Sequence, residues 1–253
     1  MKDRFLTAGY RYCFISLLTI VIVCGSVSDG HTQNYYPDDL GNTWTLHSTD
    51  GIDERVVTIE GPETIGTESL NVISDGTYPI SDPASKNPTR LFIKTTPGGV
   101  LIFRAIVSVA ILGEITIDYS PPQTFLPDPI ELGSEWTVSG EATASLLGLT
   151  IKIEATSTAK VIAIADVTVP AGTFQDCLRI EQQHQTQLSP ALATLPSTTI
   201  TMWLAPDVGL VQALDSKNVK FELISHNIPI DGPVVAVEPK WKLATTWGAL
   251  KKW

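Results

Sequence analysis

The sequence predicts an all-β fold: an antiparallel curved sheet, either a half-barrel or a sandwich, built from two similar halves. Three observations lead there. Apolar and polar residues alternate in Thr43-Trp44-Thr45-Leu46-His47, in Leu149–Ala155 and in Val219–Leu223, a period that buries one face of a strand and wets the other. Turn residues punctuate the chain at Gly61-Pro62, Asp82-Pro83, Pro97-Gly98-Gly99, Pro121-Pro122 and Pro206, with no sustained helical period between them, so about a dozen strands are expected. The third observation is a duplication. Pro37-Asp-Asp-Leu40-Gly41-Asn-Thr-Trp44-Thr45 matches Pro129-Ile-Glu-Leu132-Gly133-Ser-Glu-Trp136-Thr137 at a constant offset of 92, without a gap.

Residues 1–28 read as a secretory signal peptide. Lys2, Arg4 and Arg11 give a basic start, Cys13 to Cys24 forms an uncharged apolar run of twelve residues, and the small residues Gly25, Ser26 and Ser28 follow. That is the order in which export signals are built. As a helix the run rises ~18 Å, short of the ~30 Å hydrocarbon core, so no transmembrane span is expected in the mature chain. Ser26-Val27-Ser28 places cleavage after Ser28. Cys24 offers the alternative of a lipoprotein signal, in which that cysteine becomes the lipidated first residue, although Val23 stands where Gly, Ala or Ser is usual. On either reading the protein is exported: periplasmic, on the cell surface or extracellular, soluble or lipid-anchored.

The remainder divides into an N-terminal β half (29–118), a C-terminal β half (119–232) and a tail (233–253). Thr89–Leu101 parallels Thr199–Leu210, each a strand, a proline turn and a new apolar strand, which extends the duplication to units of roughly 90–110 residues. Val100–Leu112 is interrupted only by Arg104 and Ser108. A strand apolar on both faces must be covered on both, and the other half is the expected cover. Asp118–Asp128, with Pro121, Pro122 and Pro127, reads as a semi-rigid linker. In Asp166–Ile180, Pro170 suits position i+1 of a type I turn and Gly172 position i+3. The chain should reverse there and pair Val167–Val169 with the strand around Leu178–Ile180, leaving Cys177 on the face opposite Leu178 or at the strand's edge.

Charge excludes one class of partner. The chain carries −10; without residues 1–28 it carries −12, and because Lys240, Lys242, Lys251 and Lys252 are unopposed in the tail, residues 29–239 carry −16. Such a body repels nucleic-acid phosphates and anionic membrane surfaces. In the tail Trp241, Trp247 and Trp253 recur every six residues among those lysines, a composition that suits a membrane interface, an acidic partner or the protein's own acidic body. The tail also looks like the terminal tags by which some bacteria sort exported proteins.

Catalytic constellations are absent from the sequence pattern. Cys177 is the one cysteine outside the signal segment, so no intramolecular disulfide is expected in the mature chain. As a nucleophile it would need a nearby base. His184, seven residues along the same expected strand, would lie roughly 23 Å away, so a structural role is expected. His31, His47, His184 and His226 show no metal-ligand spacing. Asp50-Gly-Ile-Asp53-Glu54 lacks the alternating acids of a calcium loop and reads as a solvated turn. There is no Gly-x-Ser-x-Gly elbow and no phosphate-cradling loop, so no catalytic residue, metal or cofactor is expected. A Trp buries about 200 Å², and Trp44 and Trp136, repeated at one place in each half, read as core anchors. The competing reading is a stacking platform, and on that reading Trp44, Trp136 and Trp203 are the candidate ligand-binding residues.

Tyr35-Tyr36-Pro37 with Leu40–Thr45, Val167–Ile180 and Met202–Val211 resemble the recurrent motifs of a family of uncharacterised bacterial exported proteins and lipoproteins, reading YYPxxxGNxW, VPAGTFxxC and WxAPxVGLV. The resemblance spans residues 35 to 215. Asp38 departs from it where an apolar residue is usual, and Asp207 where glycine is usual. It implies a β-rich envelope protein and brings no catalytic residue. Some similar periplasmic domains resemble the curved half-barrels of lipoprotein carriers, which implies a groove for an apolar ligand. The expected function is therefore a non-enzymatic envelope binding or interaction module for an apolar small molecule, a lipid or an envelope protein. The alternatives are a structural surface protein sorted by its tail and a hydrolase of envelope polymers, for which the sign would be a cleft holding a perturbed acid pair.

Overall fold

Val, Ile and Thr dominate the alternating runs, and their branched side chains suit a pleated surface. The computed structural model describes residues 33–74, 89–109, 113–146, 148–190 and 196–228; the signal segment with Cys24 and Ser28, His31 and the tail fall outside them. Among the described residues there are twelve strands and no helix. The first six are β1 (Thr43–Ser48), β2 (Glu54–Ile65), β3 (Glu68–Ser74), β4 (Arg90–Thr96), β5 (Gly99–Val109) and β6 (Gly113–Pro127). The second six are β7 (Glu135–Leu146), β8 (Leu149–Val169), β9 (Gly172–Ser189), β10 (Thr198–Ala205), β11 (Gly209–Leu214) and β12 (Lys220–His226). They form one sheet in the order β6-β5-β4-β3-β2-β1-β12-β11-β10-β9-β8-β7. Every ladder is antiparallel and joins chain neighbours except that of β1 with β12, where Trp44 stands opposite His226. That ladder bends the meander round until its two outer strands, β6 and β7, meet in a nearly closed barrel.

The inward set is apolar. Leu46, Val57, Ile59, Ile93, Ile102, Ile151, Val161, Leu178, Val211 and Leu223 are at most 2% exposed and belong to one cluster.

The duplication is a structural repeat. Each half contributes six consecutive strands to the sheet, β1–β6 and β7–β12, and the loops before β1 and β7 share a hydrogen-bond pattern. Gly41 N–H donates to Ile59 O (2.8 Å) and Gly133 N–H to Val161 O (2.9 Å). Ile59 N–H returns to Asn42 O and Val161 N–H to Ser134 O, both at 2.9 Å. Both glycines hold left-handed φ, 87° and 90°, a conformation that costs a side-chain-bearing residue about 1–2 kcal/mol. The glycine is therefore the fixed point of the motif, and it delivers the Trp three residues later to the start of its strand.

Four local readings are corrected. First, Asp118–Asp128 is not a linker but largely the second part of β6: Thr124 pairs with Leu101 and Leu126 with Val100, and the ladder shifts register between Ile102 and Arg104. Prolines cannot donate to a ladder and are confined to edges and bulges, and Pro121 and Pro122 lie in that interruption of an edge strand. Second, Val167–Val169 pairs with Gly172–Phe174 across the two-residue turn Pro170-Ala171, and Leu178 pairs with Ile164 instead. Third, Cys177 and Leu178 are both fully buried. A register shift between Ala165 and Val167 and a φ of 52° at Asp176 break the alternation that would have separated them. Fourth, the outer face of β3–β5 is covered locally. Leu70, Val72 and Phe92 form a second cluster, and the guanidinium groups of Arg90 and Arg104 lie 5.2 and 6.0 Å from the Phe92 ring centre.

Asp207, where the resembled motif carries glycine, has φ 57°, and its N–H donates to Asn34 O at 2.7 Å. Asp207→Gly relieves the left-handed strain and keeps that donor. It is expected to raise stability by about 0.5–1 kcal/mol, read as a higher urea midpoint at unchanged slope.

Candidate functional site

Where the barrel should close, the ladder is missing: β6 and β7 are the two ends of the strand order. Side chains bridge the gap. The Gln123 carboxamide accepts from Ser139 N–H (2.7 Å) and donates to Ser139 O (2.5 Å), standing in for a strand partner at one residue. Trp136 Nε1–H donates to Phe125 O at 2.9 Å. Gly140 lets the strands close up, because a Cβ there would collide with Ile117 Cγ2 and lie 2.9 Å from Tyr119 Cε1.

Beside this contact a cleft of about 400 Å³ opens between Asp118, Ser120 and Gln123 on β6 and Ser139, Glu141 and Glu154 on β7 and β8. Its charges are paired. Asp118 takes an ion pair from Arg104, whose guanidinium pKa it raises. Glu141 and Glu154 face each other across the β7–β8 ladder, and Lys152 Nζ lies 3.1 and 2.9 Å from them. Hydrogen bonds from that ammonium, first to Glu154 and then to Glu141, push the Lys152 pKa up. Tyr119 backs the cleft, and burial pushes its phenol up to about 12, so it stays a neutral donor and acceptor. The cleft presents hydroxyl, carboxamide and ion-paired carboxylate groups.

The three tryptophans are distributed over separate elements. Trp44, on β1, is 2% exposed and donates Nε1–H to Val208 O at 2.6 Å. Trp136, on β7, is half-buried and lines an interior cavity of about 20 Å³ with Tyr36, Phe125, Gln182 and Met202. Trp203, on β10, is half-buried opposite Arg179, whose guanidinium lies 5.3 Å from the ring centre. Cys177 is fully buried, its Sγ 3.4 Å from Phe174 O, and burial pushes the thiol up to about 12. Asp50 caps its own turn by accepting from Ile52 N–H at 3.1 Å. Among the described residues no group of three or more His, Cys, Asp or Glu is placed to hold a metal ion.

Sequence reading missed the seam. Its signals were the prolines of an edge strand and a glycine in mid-strand at Gly140, each interpretable only once the strands' neighbours are known.

The fold and seam define a class: an antiparallel β meander curled into an almost closed barrel with a packed apolar interior. A family model described as DUF3108-like matches residues 148–227, which run from the β7–β8 turn through β12. No curated protein matches the chain. Among solved structures, a lipoprotein candidate from Parabacteroides distasonis is 16% identical with a TM-score of 0.41, covering 77% of this chain and 99% of that one. The hypothetical lipoprotein YmcC from Escherichia coli is 15% identical with a TM-score of 0.37, covering 81% and 92%. An exported-protein candidate with a YmcC-like fold from Bacteroides fragilis is 14% identical with a TM-score of 0.40, covering 76% and 98%.

Proposed function

We propose that the protein is an exported, non-enzymatic binding module of the cell envelope that engages an extended segment of a partner protein at the β6–β7 seam. One observation carries this: two sheet edges face each other without a ladder, beside a polar cleft, while the interior is filled. Unpaired strand edges offer main-chain donors and acceptors to an incoming strand, and about 400 Å³ falls within the ~300–1,000 Å³ usual for binding clefts. The signal-like N-terminus supports export. The apolar-in, polar-out pattern is the reverse of a lipid-embedded barrel.

A lipid or other apolar cargo is the less favoured occupant, because an interior cavity of about 20 Å³ is far below the ~150 Å³ that accepts benzene. Native mass spectrometry of protein from its own host is expected to show no non-covalently retained lipid; a stoichiometric lipid would reverse this preference.

The seam itself is tested in cells. A photo-crosslinking residue at Ser120, on the cleft wall, should capture one envelope protein, and the same residue at Thr173, in the β8–β9 hairpin, should not. Gly140→Val forces Ile117 and Tyr119 away, at a cost of about 1–3 kcal/mol, and should abolish the Ser120 adduct while the barrel stays folded. Equal capture from both positions, or none from Ser120, would refute the seam as the binding site.

A further inference from the structure

We propose that the segment Lys240–Trp247 of the chain's own tail docks along the β6–β7 seam, so that a partner segment must displace it to bind. The inference rests on the seam being a binding site and names its resident occupant. A strand added at a barrel edge must repeat the barrel's own pattern, apolar inward and polar outward. The tail lies outside the described residues, and its sequence carries that period. Trp241, Leu243, Thr245 and Trp247 fall on one parity, and Lys240, Lys242, Ala244 and Thr246 on the other. On the inner side of the seam Phe125 and Trp136 pack against the core cluster, which matches the first set.

Charge matches the second set. At the cleft, Asp118, Glu141 and Glu154 are paired with two cations, Arg104 and Lys152. Glu141 and Glu154 share one ammonium, so one negative charge is left over, and the Glu141 side chain is 66% exposed. After Glu238 the tail holds four lysines and no acid, and a lysine of the outward set completes the pairing. Such an exposed pair contributes at most about 1 kcal/mol; the tether supplies the rest. The described residues end at Ile228, just after β12. From β12 to β7 there are five strand spacings, or about 24 Å round the sheet. The twelve residues from Ile228 to Lys240 span at most about 40 Å, so the seam is within reach. A segment tethered that closely has an effective concentration of about a millimolar, enough to fill a weak site.

The test uses the purified full chain with a photo-crosslinking residue at Ser120, on the cleft wall, or at Thr173, in the β8–β9 hairpin. Illumination should join Ser120, and not Thr173, to residues 240–247 of the same molecule, read by mass spectrometry of the digested monomer. The adduct should fall several-fold in the double variant Lys240→Glu, Lys242→Glu, and likewise in ~1 M salt, where the screening length is about 3 Å. A chain ending at Pro239 should lose the adduct, keep its urea midpoint and raise the yield of partner adduct in cells. A synthetic peptide of residues 240–253 should restore tail capture only near about 1 mM. No tail adduct from Ser120, equal adducts from both positions, a link between two copies, or a yield untouched by the lysine reversals would each overturn the proposal. If the tail adduct is absent while Ser120 still captures its partner in cells, the tail docking fails and the seam reading stands. If the tail adduct forms and neither chain captures a partner, the partner reading fails and the tail is the seam's own strand.

Discussion

Trp44→Ala is expected to be the most destabilising single substitution in the barrel, lowering stability by about 3–5 kcal/mol through lost burial and the cavity left behind. The indole is 2% exposed, its ring centre lies 6.3 Å from that of Tyr36, and Cζ2 sits 3.4 Å from the Cβ position of Gly209. Truncation also removes the donor to Val208 O, and an unsatisfied buried carbonyl costs about 1–3 kcal/mol more where water cannot reach it. Against a typical total of about 5–15 kcal/mol, the variant should unfold near ambient temperature or fail to accumulate. Trp44→Phe keeps most of the packing and loses the hydrogen bond, so a loss of about 1–3 kcal/mol is expected there, small enough for a denaturation curve. Trp136→Ala is the internal comparison. Its ring occupies the corresponding place in the second half but is half-buried beside the seam, so its loss should be the smaller. Equal losses at the two positions would mean that the β1–β12 closure is no better packed than the seam.

That asymmetry between two copies of one motif explains what could be read from sequence. The motif itself was legible because its chemistry is local: a glycine at positive φ, an acidic residue and a Trp at fixed spacing recur at an offset of 92, and the same two main-chain hydrogen bonds form in each copy. Strand number and the core set followed from period two. Ring closure is a different kind of fact. Whether β12 pairs with β1, or β6 with β7, depends on edges far apart in the chain, and alternation carries no information about partners. The same limit turned β6 into a linker: Ser120-Pro121-Pro122 signals a break in a ladder but not that the ladder resumes at Gln123. Bulges were the other loss. Cys177 and Leu178 share burial because Asp176 takes a left-handed φ, a one-residue slip that strict alternation cannot foresee. The cleft at Ser139, Glu141 and Glu154 was invisible for the first reason, since its two walls meet only when the barrel closes.

Acid should weaken the fold through His184. The imidazole lies on β9 opposite Ser157 and Thr198, and burial drives its pKa down from 6.5 to about 4. In the unfolded chain it titrates near 6.5. Between these values the unfolded chain binds a proton that the folded barrel refuses, so stability rises with pH across the window. The contribution is complete above about pH 6.5, falls away as pH drops towards 4, and is flat below that. At ~1.4 kcal/mol per pKa unit the loss is at most on the order of 3 kcal/mol, trimmed by the ring's partial contact with solvent. His226 is shifted down by burial too and adds in the same direction. Asp50 is lowered from 3.8, so its window lies below that of His184 and does not mask it. Urea midpoints of the wild type should therefore fall between pH 7.5 and pH 5, and His184→Gln, which keeps a polar group and removes the titration, should flatten most of that slope. An unchanged slope in the variant would mean that the ring takes up its proton inside the folded barrel.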